Sequence, residues 1–252
     1  MRTPKETYEK YISAGVNKAS LKPSKAFILA VLAGMFIALA GVASTFGNAF
    51  SGRICGAVIF CGGLAMVLVA GSELFTGNCL LVMPLLDKRI KVLDLIKNLL
   101  IVYIGNFIGA LFIASLAAYS GALNAASETA INISVAKTSL TFSEAFLRGI
   151  LCNILVCIAV WMSFSSDRTG DKILCVIFPV TFFVLCGFEH SIADMYYIPA
   201  GMILNSKLSL SKAAVTVFDF LIKNLLPVTL GNIVGGALVG FFYRFIYSEK
   251  KQ

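Results

Sequence analysis

The one histidine of the chain, His190, sits in the run Gly187-Phe188-Glu189-His190-Ser191, inside an otherwise apolar span. A second apolar span, in the other half of the chain, is interrupted by Gly71-Ser72-Glu73-Leu74-Phe75-Thr76-Gly77. Each interruption sets a carboxylate, Glu73 or Glu189, beside glycine in a segment with the composition of a membrane helix. A charge at the bilayer centre costs roughly 2.5 to 3.5 kcal/mol even on the mildest scale, and irregular backbone leaves peptide groups unpaired there. Both survive mainly where they line a protein-enclosed or water-filled path. An imidazole, with an unperturbed pKa of about 6.5, adds a group that exchanges a proton near neutral pH. These residue types in this setting point to a pore or carrier site.

The elements that must position these residues follow from composition. With 58% hydrophobic and 13% charged residues and a mean hydropathy of +0.88, the chain has too little polar surface for a soluble globule. It reads as an integral, all-α membrane protein. The apolar runs Ala26–Ser44, Ile54–Gly71, Leu99–Ala118, Phe146–Phe164, Ile173–Phe188 and Leu225–Ile246 are each near the length of a transmembrane helix. Asn78–Leu86 and Ile192–Leu204 are too short to span and read as the second halves of broken helices 2 and 5. Six crossings put both termini on one side. Of 21 Lys and Arg residues, 15 fall on that face, which the retention of basic residues makes cytoplasmic. Arg53, Lys137 and Arg148 are exceptions near the opposite face. The expected organisation is a cytoplasmic amphipathic segment 1–25, a transmembrane domain 26–247 and a cytoplasmic tail 248–252. Tyr8, Tyr11, Ile12 and Val16 have the spacing of an amphipathic helix lying on the inner face of the membrane. The net charge of +8 is accounted for by topology and lipid headgroups, so no nucleic-acid partner is expected.

The third and sixth spans superpose at an offset of 126 residues: Lys97-Asn98-Leu99-Leu100-Ile101-Val102-Tyr103-Ile104-Gly105-Asn106 faces Lys223-Asn224-Leu225-Leu226-Pro227-Val228-Thr229-Leu230-Gly231-Asn232. Shared Lys-Asn and Gly-Asn pairs are hard to obtain by chance between apolar helices, which implies a duplication. Three crossings per half make the repeats, 26–120 and 145–247, inverted. Broken helices at matching places in inverted halves mark a substrate path near the bilayer midplane. Gly105 with Gly109, and Gly231 with Gly235, form small-xxx-small packing faces.

Several residues also have plainer readings. The seven cysteines lie in or beside apolar spans with no CxxC pair, which argues for packing rather than disulfides or a metal, and one histidine gives zinc too few ligands. No cofactor is expected, and no nucleophile–base set supports an enzyme. Thr76 can cap the second half-helix. Glu73 and Glu189 are expected to tie down the breaks, since a carboxylate facing the pore would repel an anion. Lys137, in a polar stretch 132–143 expected to be a loop, is a candidate anion attractor because it stands on the face poor in basic residues.

The segments Gly71-Ser72-Glu73-Leu74-Phe75-Thr76, Arg148-Gly149-Ile150-Leu151-Cys152-Asn153, Ala159-Val160-Trp161-Met162, Gly187 to Ala193 and Pro227 to Asn232 together resemble the formate/nitrite transporter family, whose members pass small anions of weak acids. Within it the chain looks most like the hydrosulfide channel branch. One departure is Asp194, where formate-type relatives tend to carry Asn. The resemblance implies a homopentamer in the inner (cytoplasmic) membrane, each protomer an aquaporin-like bundle with its own pore. It implies that Thr76 and His190 meet at the pore centre, that Lys137 and Asn153 lie in the outer path and that Asn232 joins the polar lining. Phe60, Leu64, Phe75 and Phe183 would form the apolar constrictions.

The expected function is a channel for small monovalent weak-acid anions, hydrosulfide first and formate or nitrite also; the alternative is a proton-coupled formate/nitrite carrier. The positive ends of two half-helices would favour an anion at the centre. His190 would lend it a proton for the crossing of the apolar rings. A water or glycerol channel of the same architecture would carry two Asn-Pro-Ala motifs, and the chain has none.

Overall fold

The computed structural model describes residues 1–209 and 214–248. Each long apolar run in it is a helix, the form that pairs its own backbone groups within lipid. In chain order the helices are α1 (Pro4–Ala19), α2 (Pro23–Ser51), α3 (Arg53–Ala70), α4 (Phe75–Leu86), α5 (Val92–Tyr119), α6 (Ser127–Thr138), α7 (Phe142–Ser163), α8 (Thr169–Cys186), α9 (Ser191–Lys207) and α10 (Asp219–Tyr247). Among the described residues, α2, α3, α5, α7, α8 and α10 are long and apolar enough to cross a membrane. Of the expected tail, residues 249–252 lie outside the described residues.

The breaks are four residues long. α3 ends at Gly71 and α8 at Gly187, both with a left-handed backbone (φ 76° and 71°) that a side chain would strain. Extended residues follow, and α4 and α9 start at Phe75 and Ser191.

Two elements differ from the sequence reading. Residues 132–138, expected in a loop, belong to α6. Mixed Ala, Ile, Ser and Val conceal its apolar face, and Ser134 Oγ donates to the Ile198 carbonyl at 3.1 Å to dock it on α9. The tyrosine face of α1 does not lie on lipid. Tyr8 and Tyr11 are buried in the protein itself, Tyr11 edge-on to Phe164 at 5.1 Å and Tyr8 near Trp161. A Thr3/Glu6 capping box starts this helix, and Arg2 pairs with Asp167 across the α7–α8 connection. Aromatic burial outweighs any gain from the interface because the rings find a packed surface.

The halves repeat bond for bond. Asn106 Nδ2 donates to the Ala30 carbonyl in one half, and Asn232 Nδ2 to the Gly149 carbonyl in the other. Glu73 N donates to Leu29 O, and Glu189 N to Arg148 O, each at 3.3 Å. Asn98 Nδ2 reaches the Lys18 carbonyl, and Asn224 Nδ2 the Lys137 carbonyl. By this matching α1 and α6 are counterparts, as are α2 and α7. Tyr103 and Thr229, which hold the same rank in α5 and α10, hydrogen-bond to each other at 2.9 Å.

Glycine sets how closely α2 meets α5 and α7 meets α10. A Cβ on Gly109 would stand 2.0 Å from the Val31 carbonyl oxygen, and one on Gly231 2.2 Å from that of Phe146. Backbone cannot yield as a flexible side chain can. Gly109→Ala should therefore lower stability by about 1 to 3 kcal/mol through overpacking. Gly62→Ala, where a Cβ meets nothing within 4 Å, should not. Melting of the detergent-solubilised protein checks both.

Candidate functional site

A helix broken inside lipid leaves its first N–H groups without partners. At each break one asparagine meets this need with both ends of its carboxamide. Asn106 Oδ1 accepts from Phe75 N at 2.9 Å while its Nδ2 reaches the Glu73 carbonyl at 2.9 Å. Asn232 Oδ1 accepts from Ser191 N at 2.9 Å while its Nδ2 reaches the Glu189 carbonyl at 3.0 Å. Both side chains are fully buried. Only a group that both gives and accepts fits these places.

The two carboxylates are paired with lysines from the counterpart helices. Glu73 lies 2.7 Å from Lys18 Nζ and accepts from Asn78 Nδ2 at 2.7 Å. Glu189 receives Lys137 Nζ at 3.0 and 3.1 Å and Asn224 Nδ2 at 3.2 Å. Where the first half has Asn78, the second has Asp194, whose Oδ1 is 2.7 Å from the same Lys137 Nζ. A buried carboxylate needs such partners, because one left alone costs several kcal/mol.

Three cavities lie between these networks. One, on the side away from α1 and called the outer cavity, of about 440 Å³, is lined by Phe60, Lys137, Phe183, Glu189, His190 and Tyr197 among others. The inner one, of about 280 Å³, is lined by Lys18, Leu64, Gly71, Glu73, Leu74 and Asn78 among others. A gap of about 10 Å³ among Ile37, Phe60, Leu64, Leu74, Val156, Val180, Phe183 and His190 separates them. Phe60 and Phe183, ring centroids 6.0 Å apart, close it outward, and Leu64 with Leu74 close it inward. His190 and Leu74 are the residues that precede the two half-helices, so both positive ends converge on this gap.

Among the described residues His190 is the only polar side chain lining the gap. Its Nδ1 accepts from Ala193 N at 3.1 Å and caps α9, and its Nε2 is 3.0 Å from Thr76 Oγ1. An Nδ1 that accepts carries no hydrogen, so the partners assign the neutral tautomer with the proton on Nε2, directed at Thr76. The ring stacks on Phe183, centroids 5.8 Å apart.

The sequence model described as "Formate/nitrite transporter" matches residues 5–246. The chain belongs to the formate/nitrite transporter family. A relative from Haemophilus influenzae, "Formate channel FocA", is 38% identical over 97% of this chain and 94% of its own length. A solved structure described as "Pentameric formate channel with formate bound" superposes with a TM-score of 0.79 at 33% identity, covering 90% of this chain and 98% of that one. A second, an "FNT family ion channel", superposes with a TM-score of 0.87 at 26% identity over 96% and 98%. Like these relatives, the protein is a transporter rather than an enzyme.

Within this family fold the site residues read from the sequence fall into three groups. Thr76, His190, Phe60, Leu64 and Phe183 are together at or beside the gap. Phe75 is not. Its ring packs on Tyr103 at 4.8 Å, and Leu74, one residue earlier, takes the place expected for it. Asn232, expected to line the pore, instead has its carboxamide fully engaged with backbone. Asn153 is fully buried too, with Nδ2 on the Thr76 and Asn232 carbonyls at 3.2 and 2.6 Å, so it orients Thr76 from behind. Lys137 lines the outer cavity but faces two carboxyl groups. Sequence reasoning missed Lys18 and the asparagines Asn78, Asn98, Asn106 and Asn224, although the repeat sets Asn98 on Asn224 and Asn106 on Asn232.

Replacing Asn232 by leucine removes the partner of Ser191 N and of the Glu189 carbonyl in a dry place. At about 1 to 3 kcal/mol for a buried unsatisfied group, Asn232→Leu and its counterpart Asn106→Leu should each lower the melting temperature clearly. Asn232→Gln should lose less. Thermal unfolding in detergent checks this.

Proposed function

We propose that the protein is a channel that passes small monovalent weak-acid anions, formate foremost, across the cytoplasmic membrane. The observation that carries this reading is a lone imidazole on an apolar gap of about 10 Å³ between two larger cavities. The gap, at about 10 Å³ roughly the room of one water molecule, admits only a very small solute, and its one polar group is a hydrogen-bond donor. The names of the relative and of the solved structure favour formate over the hydrosulfide expected from the sequence, and they favour a channel over a proton-coupled carrier. The description of the solved structure as pentameric supports a homopentamer. The basic residues on one face, 15 of 21, support termini in the cytoplasm.

His190 acts here as a neutral donor rather than as a lender of protons. Protonating Nδ1 would break the α9 cap, since that nitrogen accepts from Ala193 N. An anion reaching the gap competes with Thr76 Oγ1 for the Nε2 hydrogen, and the helix ends add a positive field. The apolar rings exclude strongly hydrated ions, because stripping water from a charge is the dominant cost between them.

In proteoliposomes, formate flux should exceed hydrosulfide and chloride flux and carry current without net proton movement. His190→Phe should reduce formate flux by at least about tenfold, the worth of a hydrogen bond to a charged group. His190→Asn, which keeps a donor and a capping oxygen, should retain flux with the wild-type pH profile. Hydrosulfide flux above formate flux, or full formate flux in His190→Phe, would sink this reading.

A further inference from the structure

We infer that Arg53 and Arg148 form an anion-capture subsite at the mouth of the outer cavity, selective for small carboxylates and oxyanions with two acceptor oxygens. This rests on the channel reading above and concerns how the anion is gathered before the constriction. The basic residue expected to gather it is Lys137. Its ammonium, however, is within 3.1 Å of both oxygens of Glu189 and 2.7 Å from Asp194. One cation opposed by two carboxyl groups has no attraction left for a passing anion.

The uncompensated cations are elsewhere on the same wall. Arg53, the first residue of α3, and Arg148, in the second turn of α7, both line the outer cavity. They converge on one peptide at the helix break. The position a Cβ would take on Gly187 is 2.8 Å from Arg53 Nη2 and 4.0 Å from Arg148 Nη1. Arg148 Nη1 makes a long bond of 3.5 Å to the Gly187 carbonyl. Among the described residues neither guanidinium has a carboxylate at ion-pair distance. Glu144, one turn before Arg148, is held in the α7 capping box by Thr141 at 2.8 and 2.9 Å.

The inverted repeat supplies an internal control. The counterpart of Gly187 is Gly71, where a Cβ would meet nothing within 4 Å. The counterpart of Arg148 is Leu29, by the matched bonds to Glu189 N and Glu73 N. The helix break therefore folds without guanidiniums, and the pair is an addition to one mouth. It also stands on the face where basic residues work against the retention rule. Two flat forks beside one glycine suit the two oxygens of formate or nitrite, whereas hydrosulfide and chloride offer a single acceptor atom.

The test is formate and chloride flux into proteoliposomes over a range of anion concentration and ionic strength, with Arg53→Gln/Arg148→Gln and Arg53→Lys/Arg148→Lys double variants. The Gln pair should raise the half-saturating formate concentration about tenfold, equivalent to about 1.4 kcal/mol. It should also lose the fall in flux that salt screening produces in the wild type. The Lys pair should keep that salt response but lose the preference for formate over chloride at low concentration. If the Gln pair does not fold, the Lys pair carries the selectivity test alone. A Gln pair with wild-type half-saturation and salt response, or a Lys pair with undiminished preference for formate, would overturn the subsite while the channel stands. A wild-type protein that conducts no formate would overturn both.

Discussion

Peptide groups freed inside hydrocarbon must find partners within the protein, and the whole architecture is arranged around two places where they are freed. A carboxamide answers the need because it gives and accepts at once, which neither a carboxylate nor an ammonium can do. To reach the first N–H of each half-helix and the carbonyl beside it, Asn106 and Asn232 must come from an adjacent helix lying close by. That closeness is what the glycines of α2, α5, α7 and α10 permit. Packing, in this protein, serves the hydrogen bonds of a four-residue break.

On this shared frame the halves carry different chemistry. Leu74 and His190 are counterparts, so the gap has an apolar wall from one half and a polar one from the other. Asn78 and Asp194 are counterparts, so Lys137 faces one carboxyl group more than Lys18 does. Leu29 and Arg148 are counterparts as well. His190 and Arg148 line the outer cavity, while Asn106 and Asn232, Gly71 and Gly187, and Glu73 and Glu189, which hold the breaks, are the same in both halves. A symmetric scaffold thereby becomes a path with two unlike mouths.

Much of this was legible in the residues. Apolar length marked six crossings, and glycine beside an acid marked both breaks, because lipid tolerates so few alternatives. The meeting of Thr76 with His190 came only from resemblance, since residues 114 positions apart share no local pattern. The resemblance sets Phe75 among the constrictions, but the direction of the side chain at a helix start decides which residue faces the gap, and Leu74 does. Lys137 reads as an anion attractor in the sequence because a sequence shows charge but not the carboxyl groups that face it. α6 was hidden by the absence of a strong period. Asn98 and Asn224 were in plain view in the repeat, but an amide in a membrane helix does not reveal whether it binds a solute or its own backbone.

The bond between Tyr103 and Thr229 joins two residues of the same rank, so the pseudo-twofold axis passes between their hydroxyls. Were the halves identical, that position would confront its own copy. A pure donor would meet a donor there and a pure acceptor an acceptor, and both would repel. A hydroxyl is among the few groups that can face itself and still bond, and each half has kept one.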